Sequence, residues 1–327
     1  MAERAEVDVS GHVARLGIEM DFIGARMDAR LVYDDALAPA LRRSLALEQP
    51  PSPVEAVERL AALVNDMALM AQASPVIASV GVAIWGRVDP ERGEVTDRHF
   101  GAAWAHEPFA ARLSRALGAP VRLMTGVRAA ARAETLVGVG QGRTPLLYVH
   151  LGRTVASALV VDGAPVVGAH FDEGRLDHWQ TGLETPRCSC GAHGHLGPLV
   201  SAQSLIRLAI GVAADDEETL AAIHGVTGGR AEALTVSQLV RLAQRPVRPL
   251  RELVDYATEA LAGALANLAL TLDPAIIVIG GSLAQVDDAF FQWLRERVAM
   301  RLTGIGAVPE IARAGVLSHA ALIGAAL

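Results

Sequence analysis

One local pattern occurs twice in this chain and limits what it can fold into. "ARLGIEM" passes through a short turn into "GARMDARLVY", over residues 14–33. "LLYVHLGRTVASALVVDG", over residues 146–163, again reads as strand, tight turn and strand. Their apolar alternation suits half-buried strands. Residues 16–27 and 148–159 overlay as the same hairpin, which suggests an internal duplication.

Each hairpin is followed by helical and strand segments. In "VEAVERLAALVNDMALMAQ" the residues Val54, Val57, Leu60, Ala61, Val64 and Met67 share one helical face, with Glu55, Glu58 and Arg59 opposite. "PVIASVGVAIW" is apolar and β-branched enough for a buried strand. A helix near Phe109–Leu117 leads to a short strand, "PVRLM". In the second half helices are expected at about 199–211, 216–224, 236–244 and 249–272, the last ending at Asp273-Pro274. "AIIVIGGSL" is a strand entering a glycine turn. Two αβ halves, each opened by a hairpin, point to an α/β, two-lobed, actin-like (ribonuclease H-like) fold with a cleft between the lobes, where ligands usually sit.

Composition narrows the function. The 327 residues suit about two domains. With 51% hydrophobic but only 4% aromatic residues, the core must be built from Ala, Leu and Val. A net charge of −7 argues against a general nucleic-acid footprint. All 29 basic residues are Arg, so a Walker-type loop with its lysine and any Schiff-base lysine are excluded. The first residues lack the apolar core of a signal peptide, and no apolar run reaches about 18 residues. A cytoplasmic chain without membrane contact and with reduced thiols is expected.

"RCSCGAHGHL", residues 187–196, holds both cysteines of the chain and two of its ten histidines. Cys188 and Cys190, one residue apart, cannot easily form an unstrained disulfide with each other. Paired reduced thiols near histidines favour a metal. The alternative is an empty pair of thiols beside surface histidines.

The chain resembles the ROK family of sugar kinases and sugar-responsive repressors over nearly its whole length. The most specific part is "GAHFDEGRLDH" followed by "CSCGAHGHL" (168–196), which is similar to the family's Glu-x-Gly-His and Cys-x-Cys-Gly-x-x-Gly-Cys segments. "VGVAIWGRVDPERGEV", "APVRLMTGVRAAARAE" and "LDPAIIVIGGSL" resemble three further blocks in the right order. The resemblance implies a first lobe over 1–125, on which a C-terminal helix at about 315–327 packs back, and a second over 126–314. It also implies a structural zinc on His178, Cys188, Cys190 and His195, the last standing for the third cysteine. Four protein ligands close a tetrahedral site and leave no position for substrate. His193 competes as a donor but sits off the family spacing.

Against that family, the catalytic set is eroded. The Asn-Asp pair, whose Asp takes the sugar hydroxyl's proton, falls on Thr125-Gly126. An Asn65-Asp66 pair reads instead as a solvated helix face. The Gly-Gly-Thr phosphate turn is replaced by Asp21, Phe22 and Ile23, whose negative charge and bulk oppose ATP binding, and the second phosphate turn reads Gly152-Arg153-Thr154-Val155-Ala156-Ser157. Only Gly280-Gly281 is kept. Of the sugar contacts, the expected Asn falls on Phe100, one Glu on Arg175 and another on Gly197.

The expected function is therefore a non-catalytic, regulator-like effector-binding and dimerisation module, a homodimer or higher oligomer. With about 15 residues before its first hairpin, the chain is not expected to bind DNA alone. An ATP-dependent sugar kinase with Asp177 drafted as base, and a purely structural zinc-held protein, are the alternatives. Arg128 and Arg175, with Thr125 and Phe100, line the expected ligand site. Two guanidinium groups there suit a sugar phosphate or sugar acid. Equally, Arg175 pairs with Asp172, Glu173 or Asp177 and merely fills the space.

Overall fold

A computed structural model describes residues 13–22, 25–32, 41–70, 76–97, 100–317 and 319–327. Ile23 of the first turn, Tyr33 at the end of the first hairpin and the tail of the helix expected to reach residue 72 lie outside them. Two compact units emerge. The first runs to Gly138 and adds Val167–Asp172 and the chain end to Leu327; the second takes Val139–Val166 and Glu173–Leu317.

In the first unit, β1 (Val13–Asp21), β2 (Arg26–Val32), β3 (Arg42–Ala46), α1 (Pro53–Met70), β4 (Val76–Ile84), the short pair β5 (Val88–Asp89) and β6 (Glu94–Val95), α2 (Phe109–Leu117), β7 (Val121–Thr125) and α3 (Gly126–Val137) follow in order. The sheet order is β3-β2-β1-β4-β7. β1 is antiparallel to β2 and parallel to β4, and β4 is parallel to β7. Ser52 and Glu55 cap α1 reciprocally, backbone N–H to side chain in both directions (2.8 and 3.3 Å). The helix buries Ala56, Val57, Leu60, Leu63, Val64 and Met67, whereas Val54, expected on that face, stands 49% exposed in the first turn.

β1 is buried on both faces rather than half-buried. The second face is covered by α10 (Ala320–Ala326), which packs on β1, β4 and α3. It lies so close that a β-carbon on Gly17 would be 2.1 Å from Leu322 O, and one on Gly81 1.7 Å from Ala325 O. Glycine is the only residue that fits beneath it. Because α3 packs on α10, the first unit extends to Gly138, past the boundary expected after Thr125.

The second unit contains β8 (Leu146–Leu151), β9 (Val155–Val161), β10 (Ala164–Pro165), α4 (Gly197–Val200), α5 (Ala202–Ala214), α6 (Glu217–Thr227), α7 (Val236–Ala243), α8 (Arg248–Leu272), β11 (Ile276–Gly280), α9 (Asp288–Leu302) and β12 (Glu310–Arg313). Its sheet order is β10-β9-β8-β11-β12, with β8 antiparallel to β9 and parallel to β11. Position for position, this is the order and sense of the first sheet. The duplicated hairpin thus marks a duplicated sheet. The helix expected at 199–211 is two pieces. Ser201 turns extended (ψ 145°) between them, and its hydroxyl accepts from Ser204 N at 3.3 Å to start α5. α8 ends as expected, with Asp273 left-handed (φ 43°) before Pro274. It buries Ala257, Ala260, Leu261, Ala264, Leu265 and Leu268, the small-residue core that the scarcity of aromatics required. Among the described residues no helix is long and apolar enough to cross a membrane.

Candidate functional site

From Glu173 to α4 the second unit carries a loop whose regular structure is one short turn at Leu176–His178 and a bridge between Gln180 and His195. Buried Leu176 anchors that turn and presents His178. Downstream, Gly191 N donates to Cys188 O (2.9 Å) and Cys188 N to Ala192 O (2.8 Å), a knuckle that turns both thiols the same way. Leu196 N donates to Trp179 O (3.0 Å) and Thr181 N to Gly194 O (2.8 Å), zipping the two segments together. His178 and His195 are thereby brought face to edge, with ring centroids 4.9 Å apart.

The ligand atoms of His178, Cys188, Cys190 and His195 all lie within 4.8 Å of one another. Nδ1 of His178 is 3.2 Å from Nδ1 of His195 and 3.8 Å from Cys188 Sγ, and Cys190 Sγ is 3.5 Å from His195 Nδ1. A tetrahedral ion with nitrogen ligands at about 2.0–2.1 Å and sulfur at about 2.3 Å holds its ligands about 3.3–3.8 Å apart. The residues therefore fit a four-ligand metal site, both imidazoles engaging through Nδ1. His193 is directed elsewhere, its Nδ1 3.3 Å from Thr185 O. The Nε2 of His178 faces Asp177 Oδ2 at 3.2 Å.

In the first unit, Thr125 caps α3. Its hydroxyl accepts from Arg128 N (3.3 Å) and Arg128 Nε (3.1 Å), which draws the Arg128 side chain into a buried position. A β-carbon on Gly126 would lie 2.5 Å from Trp85 Cδ2. The indole is fixed in turn, its Nε1 donating to Glu19 Oε1 at 2.8 Å. Glu19 is buried on β1, and burial pushes its carboxyl pKa up against the lowering effect of the Trp85 hydrogen bond. Phe100 packs edge-on against Phe22 (4.8 Å) and against Trp104 (6.3 Å). Phe22, in the first turn, is itself buried. Asn65 and Asp66 are exposed on α1.

Of the four residues expected to contact ligand, the fold brings Thr125 and Arg128 into direct contact and places Phe100 in an aromatic cluster of the same unit. Arg175 belongs to the second unit, where its Nε lies 3.3 Å from Asp177 Oδ1. Asp172 pairs instead with Arg87 (2.7 Å). Gly281 keeps a left-handed φ of 84° and presses on the β8–β9 turn, its absent β-carbon 2.6 Å from Leu151 O. His150, beneath that turn, is half-buried, and desolvation lowers its pKa to about 4. Glu19 and Trp85 went unremarked in the sequence. The available signal was an acidic residue inside an otherwise apolar strand, "LGIEM", and an indole at the end of another.

The repeated sheet topology defines the class, an α/β fold that is shared with a solved glucokinase. A glucokinase of Streptomyces griseus, solved with glucose and AMPPNP, shares it with a TM-score of 0.79 at 22% identity, over 96% of this chain and 98% of that one. The chain belongs to the ROK family, whose model matches residues 32–327. Similar proteins carry both kinds of name. The glucokinase of Thermotoga maritima is 25% identical over 251 residues, 75% of this chain and 78% of that one. The DNA-binding transcriptional repressor Mlc of Escherichia coli is 23% identical over 222 residues, 68% of this chain. The match spans about half (53%) of the repressor's length.

Proposed function

We propose that this chain is a non-catalytic ROK protein, an effector-binding module of the regulator type braced by a structural zinc. The observation that carries the reading is the closed position at Gly126. Phosphoryl transfer to a sugar needs a carboxylate to take the hydroxyl proton. Here the position that resembles the catalytic one has no side chain, and Trp85 stands where a β-carbon would go. Buried Phe22 in the turn that would approach phosphate, packed edge-on against Phe100, supports the same reading.

Zinc is the metal that the cluster suits best. Two thiolates and two imidazoles in a closed tetrahedral set are a structural rather than a catalytic arrangement. The ion would tie the loop from Glu173 to α4 to itself, with Cys188 and His195 already buried. The ligand is a sugar or sugar derivative, the chain works as a homodimer, and with a net charge of −7 it does not read DNA by itself.

A kinase is the second reading. It is favoured by the preserved Gly281 turn and by relatives named glucokinase. It meets a difficulty in Asp177, the carboxylate available as base, which is engaged by Arg175 and His178.

The effector is tested by a thermal-shift screen of neutral hexoses, hexose phosphates and uronates. Stabilisation by one of these classes is expected. Salt-sensitive stabilisation confined to the anions, abolished by Arg175→Glu, would identify an anionic effector. A flat response across all three classes would contradict an effector-binding role.

A further inference from the structure

Three neighbouring residues in the second unit make a chain of contacts that ends on a metal ligand. Arg175 Nε lies 3.3 Å from Asp177 Oδ1, and Asp177 Oδ2 lies 3.2 Å from His178 Nε2. With Nδ1 of His178 turned into the cluster, Nε2 is the nitrogen that carries the proton, so it donates to the carboxylate. Metal-bound histidines usually give their second N–H to such an acceptor, which fixes the tautomer and raises the basicity of the ligating nitrogen.

The same carboxylate-bearing residue explains Gly197. A β-carbon there would sit 3.0 Å from Asp177 Cβ and 2.9 Å from Asp177 O. Any side chain at 197 would have to displace Asp177. Arg175, Asp177 and Gly197 are therefore one coupled arrangement: the guanidinium holds the carboxylate, the carboxylate holds the imidazole, and the glycine makes room.

We infer that Asp177 is the positioning residue of the metal centre, orienting His178 for ligation through Nδ1, with Arg175 fixing Asp177 in turn. Arg175 thereby also serves the metal loop. The inference rests on the zinc reading above and extends it to a residue outside the four ligands.

The test is zinc affinity, measured on the full chain by competition with a chromophoric chelator. Asp177→Gly should weaken zinc binding by about 10–100-fold. Asp177→Asn, whose amide oxygen still accepts a hydrogen bond but carries no charge, should fall between it and the wild type. Asp172→Asn, which removes the partner of Arg87, should bind as the wild type does. In the zinc-loaded wild type the His178 Nε2–H should give a slowly exchanging NMR signal that Asp177→Gly loses; a general loss of packing would not single out that proton. If Asp177→Gly folds poorly, the asparagine variant and the NMR signal decide. Zinc affinity within about twofold of wild type in both variants, or an unprotected Nε2–H, overturns the role of Asp177 while leaving the zinc site standing. A wild type that binds no zinc overturns both.

Discussion

The indole of Trp85 stands where a side chain on residue 126 would have to be: a β-carbon on Gly126 would come within 2.5 Å of Trp85 Cδ2. Residue 126 opens α3, where replacing glycine by alanine would ordinarily help the helix. Here Gly126→Ala should instead destabilise the protein by about 1–3 kcal/mol, the cost of overpacking. In the double variant with Trp85→Ala, the combined loss should be smaller than the sum of the single losses, because the substitutions act on the same space. Chemical denaturation of the four proteins measures this. An Gly126→Ala variant as stable as the wild type would show that the indole yields freely.

The close seat of α10 makes a second prediction. A β-carbon on Gly81 would lie 1.7 Å from Ala325 O, and backbone cannot move away as a flexible side chain can. Gly81→Ala should cost about 3 kcal/mol or more, with the chain end losing its hydrogen-exchange protection first. Uniform protection with unchanged stability would contradict the packing described.

His150 gives a pH dependence whose direction follows from its burial. Its pKa falls from 6.5 to about 4 in the folded chain, so the unfolded chain takes up a proton that the folded one refuses. The stability it contributes is present above about pH 6.5 and is lost as the pH falls towards 4. The full difference is about 3 kcal/mol. Comparing the pH profiles of unfolding for wild type and His150→Gln removes what other groups contribute. The two curves should converge on acidification through this window, and parallel curves would contradict it.

Much of the fold was legible in the sequence because it lies in patterns of period and repetition. The overlay of 16–27 on 148–159 corresponds to two sheets of the same order and sense, and Phe109–Leu117 is the helix expected. β3 and β12 were missed because they are short edge strands, "RRSLA" and "EIAR", whose charge masks alternation. The break at Ser201 was missed because a capping hydroxyl inside an apolar stretch looks like any small helical residue. At the site, the four metal ligands were legible from local spacing. The contacts of Trp85 with Glu19 and Gly126 were not, since they join residues far apart in the chain. Nor was the direction of Asp177, which depends on a turn the sequence does not announce.

The metal set itself predicts a stoichiometry and a stability. Protein prepared without chelator should carry about one zinc per subunit. Cys190→Ala should lose it and unfold several kcal/mol more readily, since metal-binding free energy is partly folding free energy. Metal analysis of wild type and variant, paired with denaturation, decides the matter. Wild-type protein with no zinc would contradict it.

The most direct measurement of the central claim is ADP release by the purified wild-type chain, with ATP, magnesium and a panel of hexoses and amino sugars. With no side chain at Gly126 and Trp85 against it, release should not exceed the rate seen without sugar. Sugar-dependent ADP release that stays with the protein through further purification would show that the chain is a kinase using a different base.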